Sequence, residues 1–187
     1  MPMKNLFLSF LGAVLCWGCQ QQTLPKPKAY LDLEYQEANY KLYSNARIPF
    51  SFDLNLSTAK TRNTTSGLNL IYPDLKATVY LSYKPVNNNI NALLSDAYTL
   101  PSKHISKAEE IPEQLFINPE QRVYGTLFSI VGNAASQLQF FLTDSTQHFL
   151  VGSLYFYSRP NYDSIFPAAQ YVQKDVERLM ESLRWSY

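Results

Sequence analysis

Residues 138–157 read Leu138-Gln139-Phe140-Phe141-Leu142-Thr143, then Asp144-Ser145-Thr146-Gln147, then His148-Phe149-Leu150-Val151-Gly152-Ser153-Leu154-Tyr155-Phe156-Tyr157. Two runs rich in aromatic and apolar residues flank four polar ones. Asp and Ser side chains bond their own backbone and favour chain reversal, so the polar tetrad reads as a turn and the two runs as the strands of a hairpin. Hairpin pairing is antiparallel, and it sets the kind of sheet that the rest of the chain must join. A third strand is expected just upstream, from Val123 to Val131.

Toward the N-terminus the apolar period is again two. Phe50, Phe52, Leu54 and Leu56 alternate with Ser51, Asp53, Asn55 and Ser57, which places the four apolar groups on one face of a half-buried strand. Leu31 and Leu33 suggest a shorter strand. Leu68 to Tyr72 suggests another, with the polar stretch Lys60 to Gly67 as a loop between strands. Pro73-Asp74 marks a turn into Ala77, Val79, Leu81 and Tyr83, which alternate with Thr78, Tyr80 and Ser82 and complete a second hairpin.

Two segments switch to the helical period. Ile90, Leu93, Leu94 and Ala97 follow Asn87-Asn88-Asn89, and Leu100, His104, Ile105 and Ala108 continue the stripe across Pro101. The expectation is one kinked helix from about Asn88 to Glu109, or two short ones. At the C-terminal end Pro167 opens a first turn and Ala168, Val172, Val176, Leu179, Met180 and Leu183 form an apolar stripe. Strands, helix, strands and helix imply an α+β fold: an antiparallel β-sheet covered by helices, an α/β/α sandwich similar to the PsbP and Mog1 type.

With 187 residues, 46% hydrophobic and 17% charged, the chain has material for one core and not for two comfortable domains. The start is different in kind. Lys4 precedes an apolar run from Leu6 to Leu15, and Gly18-Cys19 follows. A run of about ten apolar residues is half of what a bilayer core requires, so it reads as the apolar part of a signal peptide ending in a lipidated cysteine. Residues 1–18 are thus a signal peptide, 19–28 the lipidated Cys19 and a tether held extended by Pro25 and Pro27, and 29–187 a single domain. Removing 18 of the 187 residues leaves 169, with Cys19 as the one cysteine and 15 basic against 15 acidic residues. No disulfide or thiolate metal site follows from that inventory, and a neutral domain lacks the charge footprint of a nucleic-acid binder.

Chemistry-bearing patterns are scarce. His104 and His148 belong to no ligand-spaced pair, which points to no metal and no cofactor; His104 lies on an apolar helix stripe and His148 opens a strand. Asp144, Ser145 and His148 have the residue types of a hydrolase, but they crowd into a turn that suits a structural role better. Gly132 to Gln137 is a loop without a phosphate-binding glycine pattern. The surplus is aromatic: 14 Tyr and 11 Phe. Tyr155 and Tyr157 share one sheet face while Phe156 takes the other, and exposed tyrosines suit a protein interface.

The relaxed lipoprotein signal ending at Cys19 and the following Pro25-Lys26-Pro27-Lys28-Ala29-Tyr30 resemble the gliding-motility lipoprotein GldD family of Bacteroidetes. The likeness continues through Tyr72 to Val86, Gly132 to Gln137 with Phe140 to Phe149, Gly152 to Tyr157, and Pro160 to Ala169. The resemblance implies an envelope lipoprotein required for gliding motility and linked to type IX protein secretion, not an enzyme, with Cys19 acylated by chains such as palmitate. Expected partners are other gliding and type IX secretion envelope proteins and the membrane itself, reached through the lipid anchor on the periplasmic side, with no nucleic acid. The residues proposed for an interface are Asn133, Ser136 and Gln137 in the loop, and Arg159, Asn161, Tyr162 and Asp163 ahead of the last helix. The alternative is a periplasmic module that binds a small ligand or glycan on its sheet face and the Gly132 to Gln137 loop.

Overall fold

The computed structural model of the chain describes residues 35–158 and 161–187. The expected signal peptide, Cys19, the tether, the strand near Leu31 and Leu33, and Arg159 lie outside the described residues. The described elements run β1 (Tyr40–Tyr43), β2 (Phe50–Asn55), β3 (Lys60–Thr64), β4 (Gly67–Tyr72), β5 (Ala77–Pro85), α1 (Ile90–Ser102), β6 (Ala108–Glu110), β7 (Glu113–Asn118), β8 (Val123–Ser129), β9 (Val131–Gly132), β10 (Ser136–Thr143), β11 (His148–Phe156), α2 (Tyr162–Ser182) and β12 (Arg184–Trp185).

Seven strands form one antiparallel sheet in the order β3-β4-β5-β11-β10-β8-β7. The hairpin of β10 and β11 lies at its centre, with Leu142 opposite Leu150 and Phe140 opposite Gly152. The ring of Phe140 lies across Gly152, where an added Cβ would come within 2.1 Å of ring carbons, so this position admits only glycine without repacking. The second expected hairpin is β4 with β5.

Alternation decides which face is buried. Leu68, Leu70, Val79, Leu81, Leu138, Phe140, Leu142, Leu150 and Leu154 point to one side, where they meet Phe50, Phe52 and Leu54 of β2 and Val172, Val176, Leu179 and Met180 of α2 in one core. Each fully buried side chain of this size contributes roughly 1.5–3 kcal/mol. On the opposite face the smaller cluster of Phe128, Phe141 and Phe149 is covered by Leu93 and Ala97 of α1.

The α/β/α sandwich is therefore corrected. Of the described residues 44% are strand and 23% helix, so the protein is mainly β and not a helix-covered sandwich. β2 does not join the main sheet. Among the described strands it pairs with β1 and β12, so its apolar face becomes a second β layer that shares one side of the sheet with α2. Among the described residues the other side is covered by the 13-residue α1 and the segment after it, and no described element covers the sheet from β3 to β5.

Local expectations are corrected with it. Helix α1 includes Pro101 and ends at Ser102, after which Lys103, His104 and Ile105 bond three residues back as turns, and Ala108 to Glu110 is a strand paired with β9 rather than more helix. Helix α2 begins five residues before Pro167, capped from outside its own sequence as described below. Leu56 lies past the end of β2 and is half exposed. Lys60 to Thr64 is an edge strand, not a loop, and Glu113–Asn118 is a strand that no alternation announced.

Candidate binding surface

The residues expected at an interface divide by exposure. Ser136 and Gln137 are buried; the Ser136 hydroxyl donates to Leu138 C=O at 3.1 Å and the Gln137 amide to Ala134 C=O at 2.8 Å. Both therefore hold the loop together from inside. Asn133 is exposed, and its Oδ1 accepts the Tyr162 N–H at 2.8 Å, satisfying one of the free donors at the start of α2. Asn161 sits at the N-cap, where its C=O accepts from Ser164 and Ile165. Tyr162 is partly buried against Phe166, with ring centroids 5.3 Å apart, and Asp163 is exposed in the first turn. The loop and the start of α2 thus form one continuous patch, joined by the Asn133 bond.

The turn at Asp144 is built as a joint. Asp144 Oδ1 accepts the N–H groups of Thr146, Gln147 and His148 at 2.8–2.9 Å, and Oδ2 accepts the hydroxyls of Thr146 and Tyr187. Burial by itself raises the pKa of this carboxyl, but the three backbone donors and the Thr146 hydroxyl outweigh it and bring it down to about 2. His148 stacks on Trp185 at 5.0 Å, and its Nδ1 lies 2.9 Å from the Tyr83 hydroxyl. Burial lowers the His148 pKa more than the Asp144 charge restores it. The hydrogen bond of Ser145 goes through its N–H to Thr143 Oγ1, and its φ of 66° belongs to the turn. The trio is thus arranged to reverse the chain and fasten the C-terminus, with no contact between a serine hydroxyl and the imidazole.

A second buried carboxyl, Asp175, lies at 7% exposure between α2 and β2. Burial raises its pKa, and bonds from Tyr40 at 2.7 Å and Asn55 at 3.2 Å only partly oppose this. It ties β1 and β2 to the helix. The two histidines do not converge: His104 Nε2 lies 3.0 Å from the Gln139 side-chain amide. No group of metal-ligating side chains occurs among the described residues.

What remains is the half of the sheet that no described element covers. Tyr80, Tyr155 and Tyr157 stand there at 38%, 36% and 65% exposure. The rings of Tyr80 and Tyr155 meet edge to face at 5.8 Å, and the Tyr157 hydroxyl lies 2.8 Å from Thr78 Oγ1 and 3.4 Å from the Tyr80 hydroxyl. Bonds from Thr78 and then Tyr80, with the charge of Arg62 beside them, lower the Tyr157 pKa. The same contact with Tyr157, followed by burial, raises that of Tyr80. Next to the rings a groove of about 430 Å³ runs between α1 and the sheet, with Lys84, Asp96 and Lys103 at its rim and Leu93 and Val151 in its wall.

Tyr155 and Tyr157 share one face, as their spacing predicts, and Phe156 on the other face packs against the core. Tyr80, Thr78 and Arg62 were not singled out. Their signal was weak: Tyr80 occupies a polar position of the β5 alternation, but only the register, with Thr78 opposite Tyr155, brings it to the other rings.

No helix among the described residues is long and apolar enough to cross a membrane. The family model for the gliding motility lipoprotein GldD matches residues 20–185. No curated protein matches the chain.

Proposed function

The chain belongs to the GldD family of gliding motility lipoproteins, and from that premise we propose that it works by binding, without covalent chemistry, as a lipid-anchored domain facing the periplasm. Its partners are other envelope proteins of the gliding and type IX secretion apparatus, whose assembly it supports. The observation that carries this reading is the bare sheet face with three mutually braced tyrosines. Rings held by one another lose little further freedom on binding, and each offers a large apolar body with a polar tip.

Substituting Tyr80 and Tyr157 together by alanine tests it. Crosslinking in cells should recover the wild-type chain with envelope proteins and the variant with at least about tenfold less, at unchanged chain abundance. Wild-type yields from the variant, together with normal motility and secretion, would sink the reading.

A second reading, a small-ligand or glycan-binding module, draws on the groove beside α1, whose volume suits a small molecule. No aromatic ring lines that groove, so it has no platform on which a sugar would stack. The protein-binding reading therefore ranks first.

A further inference from the structure

The seven-stranded sheet ends on two strands of opposite character. β3 is exposed along its whole length and carries Lys60 and Arg62, the kind of charged edge that discourages a further strand. β7 presents Leu115 and Ile117 at 69% and 67% exposure, and no described strand pairs with its free side. Hydrogen-bond alternation shows what that side offers. Ser129 N–H donates to Pro112 C=O at 3.1 Å, so this opposed pair is a bonded one. Counting by twos along the register, Gln114, Phe116 and Asn118 bond to β8, while Glu113, Leu115 and Ile117 turn their backbone groups outward.

Two grooves flank this strand. On the core side one of about 60 Å³ lies between Phe116 of β7 and Glu177 and Glu181 of α2. On the other side one of about 350 Å³ holds Glu109, Glu110 and Glu113. No lysine or arginine lines either groove, and none of the five glutamates makes an ion pair among the described residues. This concentration of acid sits on one edge of a chain whose formal net charge is +1.

We propose that β7 is a strand-addition site for an extended segment of a partner protein in which apolar residues alternate with lysine or arginine. The segment's backbone bonds to Glu113, Leu115 and Ile117, its apolar side chains lie beside Leu115 and Ile117, and its cations reach Glu177 and Glu181. A second copy fits less well. A two-fold axis perpendicular to the sheet beside β7 would pair the two β7 strands antiparallel, with α2 of both copies on the same face and their glutamates toward each other. The proposal rests on the protein-binding reading but uses a different surface from the tyrosines.

The test uses the lipidated chain in detergent and two synthetic peptides of about ten residues, one alternating valine with lysine and one alternating valine with glutamate. The valine–lysine peptide should slow amide exchange at Glu113, Leu115 and Ile117 by at least about tenfold, and the valine–glutamate peptide should not. Ile117→Pro removes an outward N–H without touching a bond to β8, and should weaken binding at least about tenfold with an unchanged circular dichroism spectrum. Glu177→Gln, half-buried beside Gln173, with the exposed Glu181→Gln should weaken it several-fold and flatten its salt dependence. Equal protection by the two peptides, or unchanged affinity in both variants, overturns the proposal. So does finding these amides already protected in the free chain, by a second copy or by its own N-terminal residues. Loss of the tyrosine face leaves every one of these readings in place, so the two surfaces stand or fall separately.

Discussion

Replacing Asp144 by asparagine keeps the shape of the central turn and removes its charge. In the wild type the carboxylate accepts three backbone N–H groups and two hydroxyls, and its pKa falls from 3.8 to about 2 despite burial. At about 1.4 kcal/mol per tenfold change in proton affinity, the ionised form contributes about 2.5 kcal/mol to the folded state. Because the folded value lies below the unfolded one, this stabilisation is complete above about pH 4 and is lost as pH falls through about 2. Asparagine retains an acceptor for the backbone donors and turns its amide toward hydroxyls that can accept. The loss near pH 7 should then be about 1.5–2.5 kcal/mol, or roughly 3–10 °C in the thermal midpoint. Urea unfolding of both proteins from about pH 7 down to about pH 2 should show the gap between them closing toward the acid end. A gap of constant width across that range would refute the assignment of the stabilisation to the charge on Asp144.

Asp175 predicts the opposite slope. Burial raises its folded pKa above the unfolded value, so its contribution is largest at acid pH and is lost as pH rises through the folded value. Asp175→Asn should therefore gain stability relative to the wild type as pH rises, read from paired thermal midpoints; a difference that does not change with pH counts against it. Gly152→Ala places a methyl group against the Phe140 ring, which is only 2% exposed and has no room to swing. A loss of about 1–3 kcal/mol is expected in urea unfolding, partly recovered when Phe140→Leu is added; fully additive losses would show that the ring is not the obstacle.

Elements with a strong apolar period were legible in the sequence. The hairpin of β10 and β11, the hairpin of β4 and β5, the stripe on α2 and the alternation of β2 each followed from residue spacing. What failed was information that spacing does not carry. Lys60 to Thr64 has no apolar side to bury, because it is a sheet edge held by backbone bonds to β4. Glu113–Asn118 exposes Leu115 and Ile117 and only half-buries Phe116, so its alternation has no dry face. Whether β2 joins the main sheet or forms another depends on strand partners, and the alternation Phe50, Phe52, Leu54 is the same in either case. The tyrosine face was half legible for a similar reason: Tyr155 and Tyr157 are two apart in one strand, but Tyr80 joins them only through pairing across strands. The Asn133 loop illustrates the converse, since polar residues in a loop near a helix start serve the helix backbone as readily as a partner.

The dimensions of α1 explain why a tyrosine face exists at all. A helix is only about 10–12 Å across, and α1 runs along the strands from Phe149 toward Gln139, whereas seven strands spaced about 4.8 Å apart span close to 30 Å from first to last. One helix, anchored by Leu93 and Ala97 over Phe128, Phe141 and Phe149, leaves β3, β4 and most of β5 uncovered by any described element. An uncovered sheet needs side chains that tolerate water on one side and pack on the other, and tyrosine meets both demands when its hydroxyls bond to one another. The bonds among Tyr80, Tyr157 and Thr78 therefore stabilise the exposed face and fix its rings, as the proposed binding role requires. The single narrow helix on this side thus connects the mainly β architecture to the proposed binding role.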